Sequence, residues 1–177
     1  TCFAFVGDST FFASAITGVV NAVYNQANMV LIVLDNSTTA MTGHQPHPGT
    51  GQTVMGEIVQ KINIEQVLRG IGVTEIETIN PLELEASVSC VKRMAEKTGV
   101  RAIIFKAPCI AVTKPKAPLH VDQDSCIGCK KCIRDLGCPA IVMNDGKICI
   151  DASMCTGCHL CSQVCPVCAI AGGDDHE

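Results

Sequence analysis

The chain has 177 residues, of which 47% are hydrophobic and 17% are charged, and this composition excludes an intrinsically disordered protein. Its formal net charge of −4 provides no basic surface, so we expect no nucleic-acid partner. No apolar run reaches the uninterrupted length of a membrane span, and no charged segment precedes an apolar one as in a secretory signal, so no membrane association is expected.

The first part of the chain is predicted to alternate between strands and helices. The continuous apolar run from Met29 to Leu34 is typical of a strand buried on both faces of a parallel sheet. Pro81 near the start and Gly99 after the end delimit one of the predicted helices. The predicted strands cover residues 2–6, 29–34, 73–79 and 100–105, and the predicted helices cover residues 11–25, 64–70 and 82–97. This alternation predicts an α/β domain with a parallel sheet.

A proline-containing segment, residues 107–119, is predicted to link two domains, residues 1–117 and residues 118–177. The second domain is an internal repeat, because its cysteine pattern recurs after a shift of 29 residues. Asp122 and Asp151 each stand four residues before the first Cys of a repeat. Since Thr1 opens directly into the first apolar run, we expect the chain to be a piece of a longer polypeptide.

Cysteine is the most informative residue type in this sequence. Ten of the 13 Cys lie between Cys126 and Cys168, mostly in Cys-x-x-Cys steps. Disulfide scaffolds belong mainly to small secreted chains, whereas this grouping favours metal binding in a reducing cytoplasm.

Each repeat contains the pattern Cys-x2-Cys-x2-Cys followed by a later Cys-Pro. This is the spacing of two-cluster [4Fe–4S] ferredoxins, in which the fourth Cys ligates the other cluster. The triple run differs from the paired Cys-x2-Cys steps of tetrahedral zinc sites, so zinc is disfavoured. Five residues separate Cys132 from Cys138 instead of three, which indicates a longer loop. The predicted ligands are Cys126, Cys129, Cys132 and Cys165 for the first cluster, and Cys155, Cys158, Cys161 and Cys138 for the second.

Polar side chains follow two of the predicted strands. Gly7, Asp8 and Ser9 come after the first strand and open a helix, and Asn36 comes after the second strand. Carboxyl ends of parallel strands are where open α/β sheets bind ligands. A carboxylate and an amide oxygen there could share Mg²⁺, and the helix N-terminus offers free N–H groups to a diphosphate. The alternative is that Asp8 caps the helix and Asn36 is a turn residue.

These residues resemble a known signature. The segment from Gly7-Asp8-Ser9 to Asp35-Asn36 is similar to the thiamine-diphosphate motif, which begins Gly-Asp-Gly and ends in Asn. The loop from Asn36 to Gly49 resembles that of the 2-oxoacid:ferredoxin oxidoreductases, and most closely the alpha subunits of the indolepyruvate ferredoxin oxidoreductases. The resemblance covers essentially the whole chain. It implies part of a thiamine-diphosphate-binding domain with a parallel sheet, followed by a small α+β ferredoxin-like domain with two [4Fe–4S] clusters.

The resemblance also implies roles for individual residues. The Asp8 and Asn36 side chains and the Thr38 backbone carbonyl would bind Mg²⁺. His44 and His47 would be the available acid–base groups, although either could equally be a loop residue at the surface. The further residues expected beside the cofactor or substrate are Gly7, Ser9, Thr10, Thr42, Gly43 and Gln45.

The implied activity is the oxidative decarboxylation of an aryl 2-oxoacid, indolepyruvate, with coenzyme A. Electrons would pass through the two clusters to ferredoxin. Alternative substrates are pyruvate, branched-chain oxoacids and 2-oxoglutarate, and the other class of function is an electron-transfer module without catalytic activity. In the family, the Glu that activates the cofactor comes from another domain. We therefore expect these 177 residues alone to be inactive and to need the remainder of the alpha subunit and a smaller partner subunit.

Overall fold

The computed structural model describes residues 1–172, and the chain divides into two compact units, Thr1–Thr113 and Lys114–Glu177. The sequence predicts the division at 117/118, a little further along the same proline-containing segment. Within the described residues, no helix is both long and apolar enough to cross a bilayer.

The first unit alternates between strands and helices as predicted. Its elements are β1 (Cys2–Gly7), α1 (Asp8–Thr10), a π-helical turn (Phe11–Ala15), α2 (Ile16–Tyr24), β2 (Met29–Asp35), a 3₁₀ turn (Ala40–Thr42), α3 (Ile64–Ile71), β3 (Glu75–Ile79), α4 (Leu84–Glu96), β4 (Val100–Lys106) and a 3₁₀ turn (Ile110–Val112). Between Thr42 and Ile64 the chain forms a long loop without a helix or strand.

The four strands form a wholly parallel sheet in the order β1-β2-β4-β3. Val30, Leu31, Ile32 and Val33 of the central strand β2 are all buried, which explains the continuous apolar run from Met29 to Leu34. Side chains of α2 and α3 pack on one face of the sheet, and α4 packs on the other. The parallel sheet expected from the sequence is therefore confirmed.

The helical stretch after β1 starts at Asp8, within the Gly7-Asp8-Ser9 segment that is predicted to open it, although the apolar periodicity begins only at Phe11. Its first turns include a π-helical segment. A π turn inserts an extra residue into the helical repeat, so apolar periodicity cannot reveal it, and such turns are frequent near functional sites. Asp8 is therefore placed at the junction between the edge strand β1 and the helix.

Arg101 on β4 is fully buried beneath α4. Its Nε donates a hydrogen bond to the carbonyl of Met94, 3.0 Å away, in the last turn of α4. Its Nη1 donates to Asn28 Oδ1 and to the carbonyl of Gly99. A guanidinium at this position satisfies carbonyls that the helix end leaves free, and its charge complements the negative end of the helix dipole.

The second unit is a small α+β domain built from the two repeats. Its elements are β5 (Leu119–Val121), α5 (Lys131–Leu136), β6 (Ile141–Asn144), β7 (Lys147–Ile150), α6 (Leu160–Val164) and β8 (Ile170–Gly172). Strands β5 and β8 form one antiparallel pair, and β6 and β7 form another. The repeats match in backbone detail: the amide of Cys126 donates to the Asp122 carbonyl, and that of Cys155 donates to the Asp151 carbonyl, each at 3.0 Å.

Candidate functional site

Asp8 is a buried carboxylate, only 3% exposed, at the carboxyl end of β1. Its Oδ1 accepts a hydrogen bond from the amide of Ser9 at 2.7 Å. Its Oδ2 accepts one from the amide of Ser37 at 2.8 Å, which ties β1 to the loop that follows β2. A carboxylate has about four acceptor positions, so these bonds hold Asp8 in place and leave capacity for a cation.

His47 lies against Asp8. Its Nε2 is 3.2 Å from Asp8 Oδ2, although the two groups are not aligned as a hydrogen bond. Its Nδ1 accepts the amide N–H of Gly49 at 3.1 Å, and therefore the proton of the neutral ring is assigned to Nε2, facing the carboxylate. The imidazole stacks on Phe12 with ring centroids 5.8 Å apart. His47 is 8% exposed, so the ring is largely shielded from solvent where it contacts Asp8.

The loop after β2, which carries the other predicted oxygen ligands, is tied to Asp8 through Ser37. Ser37, whose amide contacts Asp8, stands between Asn36 and Thr38 in the chain. Asn36 Oδ1 accepts the amide of Thr38 at 3.1 Å, and Thr38 is buried. A carboxylate, an amide oxygen and a backbone carbonyl form an all-oxygen donor set of the kind that Mg²⁺ takes. These residues therefore fit the expected cation.

The loop after β2 is also held by residues at the ends of β2 and β4. Asp35 at the end of β2 accepts hydrogen bonds from the amide and the hydroxyl of Ser37, and its Oδ2 lies 3.6 Å from Lys106 Nζ. The amide of Cys109, after β4, donates to the Asn36 carbonyl at 3.0 Å. Sequence patterns did not identify Ser37, Lys106 or Cys109, because their role depends on contacts between separate strands.

The structure separates the two predicted histidines. His44 is exposed in a tight turn with a positive φ of 62°, whereas His47 is buried. Thr42, Gly43 and Gln45 are exposed as well, and Thr42 Oγ1 donates to Gln45 Oε1 at 2.6 Å. Of the residues expected near the diphosphate, Ser9 is half-buried and Thr10 is exposed.

A polar cavity opens beside His47 at the carboxyl ends of β2, β3 and β4. Its wall includes Asp35, Lys61, Lys106 and the first turn of α3, which Asn63 caps by accepting the amide of Gln66 at 3.1 Å. The carboxyl edge of a parallel sheet is the usual place for a ligand in such folds, and this lining suits the polar part of one.

In the second unit, the first predicted ligand set lines one cavity. Around the four thiols the wall is apolar and includes Val121, Ile148 and Ile170. The thiols in this wall are those of Cys126, Cys129, Cys132 and Cys165. The last of them comes from the other repeat, as the ferredoxin pattern requires.

The second predicted set lines a separate cavity. Leu119, Ile141 and Leu160 are among the apolar residues in its wall. Its thiols are those of Cys138, Cys155, Cys158 and Cys161. The structure therefore brings Cys138 to this set despite the longer loop that precedes it. Within residues 1–172, no three His, Cys, Asp or Glu side chains converge closely enough to hold one metal ion.

The thiol environments suit an iron–sulfur core. Burial, reinforced by the neighbouring Cys158 and Cys155, raises the pKa of Cys161 to about 11, and burial also raises the pKa of Cys132. Thiolates crowded in this way need compensating positive charge, which an iron core supplies. The amides of Leu119 and Ala169 donate to the sulfurs of Cys155 and Cys165 at 3.4 and 3.3 Å, contacts of the kind that tune a cluster.

Cys149 and Cys168 are absent from both cavity walls. Cys149 lies on β7, and Cys168 is exposed with a φ of 52°. Cys2, Cys90 and Cys109 belong to the first unit, where Cys90 is fully buried on the face of α4 that packs against the sheet. The eight thiols in the two walls are thus the eight that the repeat predicts.

Comparison with known proteins identifies two family models in this chain. Residues 1–105 match the thiamine pyrophosphate enzyme C-terminal TPP binding domain, and residues 119–166 match the 4Fe-4S dicluster domain. Thiamine pyrophosphate and thiamine diphosphate are the same cofactor.

Curated relatives match both units together. Indolepyruvate oxidoreductase subunit IorA of Methanothermobacter thermautotrophicus is 45% identical over 169 residues, which are 94% of this chain and 27% of that protein. The subunit of the same name from Archaeoglobus fulgidus is 40% identical, over 94% of this chain and 28% of its own length. The chain thus spans about a quarter of these relatives. A solved putative thiamin diphosphate-dependent enzyme from Mycobacterium smegmatis is similar over 62% of this chain and 18% of its own, with 20% identity and a TM-score of 0.43.

Proposed function

Since this chain belongs to the thiamine pyrophosphate enzymes through their C-terminal TPP binding domain, we propose that it takes part in the oxidative decarboxylation of a 2-oxoacid and passes the electrons to ferredoxin. The observation that carries this proposal is the joining, in one chain, of a thiamine-diphosphate-binding domain to a 4Fe-4S dicluster domain. Either domain alone occurs in other settings. Together they supply a site for carbon chemistry and a route for single electrons.

In the first unit, the residues at the sheet edge hold the cofactor. Asp8, Asn36 and the Thr38 carbonyl bind Mg²⁺, and the amides that open the helix after Gly7 face the diphosphate. When bound, thiamine diphosphate supplies the electron sink for decarboxylation. The buried contact of His47 with Asp8 at 3.2 Å supports a positioning role for this histidine, which differs from the acid–base role expected from the sequence.

In the second unit, the two cavity walls hold two [4Fe–4S] clusters. Each takes three Cys from one repeat and the fourth from the other, which the sorting of all eight thiols into two walls supports. A cluster of this kind takes up one electron at a time, so two clusters suit a two-electron oxidation. The apolar lining limits the access of water to the sulfurs.

The substrate is proposed to be indolepyruvate, with coenzyme A as the acyl acceptor. The name of the curated relatives supports this choice, as does the resemblance of the loop from Asn36 to Gly49. Pyruvate, branched-chain oxoacids and 2-oxoglutarate are the alternatives within the family. The rest of the alpha subunit, a smaller partner subunit and ferredoxin are the proposed partners, and the activity belongs to that assembly.

Cofactor binding tests the first half of the proposal. In the complete assembled enzyme, Asp8→Ala should abolish Mg²⁺-dependent binding of thiamine diphosphate, measured by calorimetry. Glu96→Ala is the control, because it removes an exposed carboxylate from the end of α4, outside the cation site and the polar cavity. Equal binding by both variants would contradict the proposed cation site, and no binding by the unmodified enzyme would favour a pure electron-transfer module.

Iron content and substrate-dependent reduction test the second half. Anaerobically purified enzyme should contain on the order of eight irons per chain, four for each set of four Cys. With coenzyme A, indolepyruvate should reduce the clusters faster than phenylpyruvate or pyruvate does, as followed by EPR. Faster reduction by pyruvate would refute the aryl substrate, and a colourless, zinc-filled preparation would refute the electron route.

A further inference from the structure

The two cysteine loops of the second unit are related by the internal repeat but differ in exposure and in charge. The first loop, residues 126–131, includes Ile127, which is 65% exposed, together with exposed Cys129 and Lys130. The corresponding positions of the second loop, Thr156, Cys158 and His159, are each half-buried. Both loops share one backbone geometry, with φ of 60° at Lys130 and 61° at His159, so the difference lies in what surrounds them.

The chain itself covers the second loop. The amide of Lys116 donates to the Thr156 carbonyl at 3.4 Å, and a Cβ added at Gly157 would come within 2.7 Å of the Ala117 carbonyl. The amide of Leu119 donates to the sulfur of Cys155 at 3.4 Å. At Gly128, which corresponds to Gly157, no atom lies within 4 Å of an added Cβ. A partner could therefore approach the first thiol set more closely than the second.

The charges follow the same division. From Cys126 to Arg134 the charged residues are Lys130, Lys131 and Arg134, all exposed, whereas the corresponding residues from Cys155 to Gln163 include none. The Arg134 Nη2 donates to the Cys129 carbonyl at 3.3 Å, which keeps its charge beside the exposed thiol. Lys131 forms an ion pair with Asp135. This positive surface stands out because the whole chain has a net charge of −4.

We propose that the surface formed by Ile127, Cys129, Lys130, Lys131 and Arg134 is the docking site for an acidic one-electron carrier protein, and that electrons leave through the first cluster. This inference rests on the proposed function, since it needs clusters in both thiol sets. One electron passes from the reduced cluster to the oxidised carrier, with no bond formed or broken. Complementary charge steers the carrier to the surface, and the apolar Ile127 can be buried on contact.

The position of the charges also favours the exit of electrons through the first cluster. Positive charge and solvent exposure both stabilise the reduced, more negative state of a cluster. The first cluster has more of both than the second, so an electron that reaches the pair is held preferentially at the exposed site. The electron is then closest to the surface on which the carrier would dock.

Equilibrium binding tests the docking surface without substrate turnover. The double variant Lys130→Gln/Lys131→Gln of the complete enzyme is compared with Lys92→Gln/Lys97→Gln, which removes the same charge from α4 and the residue after it. The probe is an oxidised bacterial-type ferredoxin of net negative charge, and the readout is its Kd by calorimetry. At about 50 mM salt the first variant should bind about tenfold more weakly, and at about 0.5 M salt the difference should vanish. The control should bind within about twofold of the unmodified enzyme.

Carbodiimide cross-linking supplies a second readout. Mass spectrometry should find ferredoxin carboxylates joined to Lys130 or Lys131. Equal weakening in the two variants, or cross-links confined to other lysines, would overturn the docking surface. Iron content and substrate-dependent reduction of the same preparations report on the proposed function separately. If the clusters are intact and the two double variants bind ferredoxin equally well, only the docking surface is refuted. If the expected binding difference is found but substrate does not reduce the clusters, only the proposed activity is refuted.

Discussion

Replacing His47 tests whether this buried ring controls the cation site through Asp8. The two side chains meet at Nε2 and Oδ2, 3.2 Å apart, and both are at least nine-tenths buried. His47→Asn keeps an acceptor near the position of Nδ1 for the Gly49 amide but removes the atom that faces Asp8. His47→Gln places an amide near the position of Nε2 and keeps that contact. Comparing the two variants therefore separates the contact of His47 with Asp8 from its contact with the Gly49 amide.

The structure also sets the expected size of the effect. Loss of a residue that orients a metal ligand typically weakens metal binding by about 10- to 100-fold, which corresponds to roughly 1.4–2.7 kcal/mol. His47→Asn should therefore raise the Kd for Mg²⁺ by about 10- to 100-fold, and His47→Gln should restore most of the affinity.

The assay is calorimetric titration of Mg²⁺ into the complete enzyme with saturating thiamine diphosphate. Thermal unfolding without cofactor is measured alongside, because His47→Asn also leaves space beside Phe12. If both variants bind Mg²⁺ as tightly as the unmodified enzyme, the contact has no role in the site. Equal losses in both variants would show that the ring matters through packing, and would likewise refute the reasoning.

Three further substitutions test other parts of the molecule. Cys138→Ser should lower the iron content by about four per chain, and the Cys149→Ser control should not; full iron content in Cys138→Ser would contradict the ligand assignment. Burial, and then Glu77, raise the pKa of Cys90 from 9.0 to about 11, so its contribution to stability is complete below pH 9.0 and is lost as the pH rises to about 11. Urea unfolding should therefore show a shallower alkaline decline for Cys90→Ala, and an unchanged decline would count against this. Arg101→Met removes the donor to the carbonyls of Met94 and Gly99 and to the Asn28 side chain, and should lower the free energy of unfolding by about 2 kcal/mol.

Much of this molecule can be predicted from local sequence. The apolar run of β2 indicates a strand buried on both faces, and the structure places β2 inside a parallel sheet. The cysteine repeat specifies two ligand sets because the spacing within a tight loop limits which thiols can meet. The cavity walls divide the eight thiols in the same way, Cys138 included. Such patterns are visible because each depends on residues close together in the chain.

Tertiary contacts decided the rest. The sequence offered His44 and His47 as equivalent candidates, and only the path of the loop after β2 buries one beside Asp8 and exposes the other. The repeat likewise makes the two cysteine loops look alike, yet the segment that includes Lys116 and Ala117 covers one of them. Spacing along a chain determines which residues can share a turn. Which side chains are buried, and which loop faces solvent, depends on segments far apart in sequence that meet only in the folded protein.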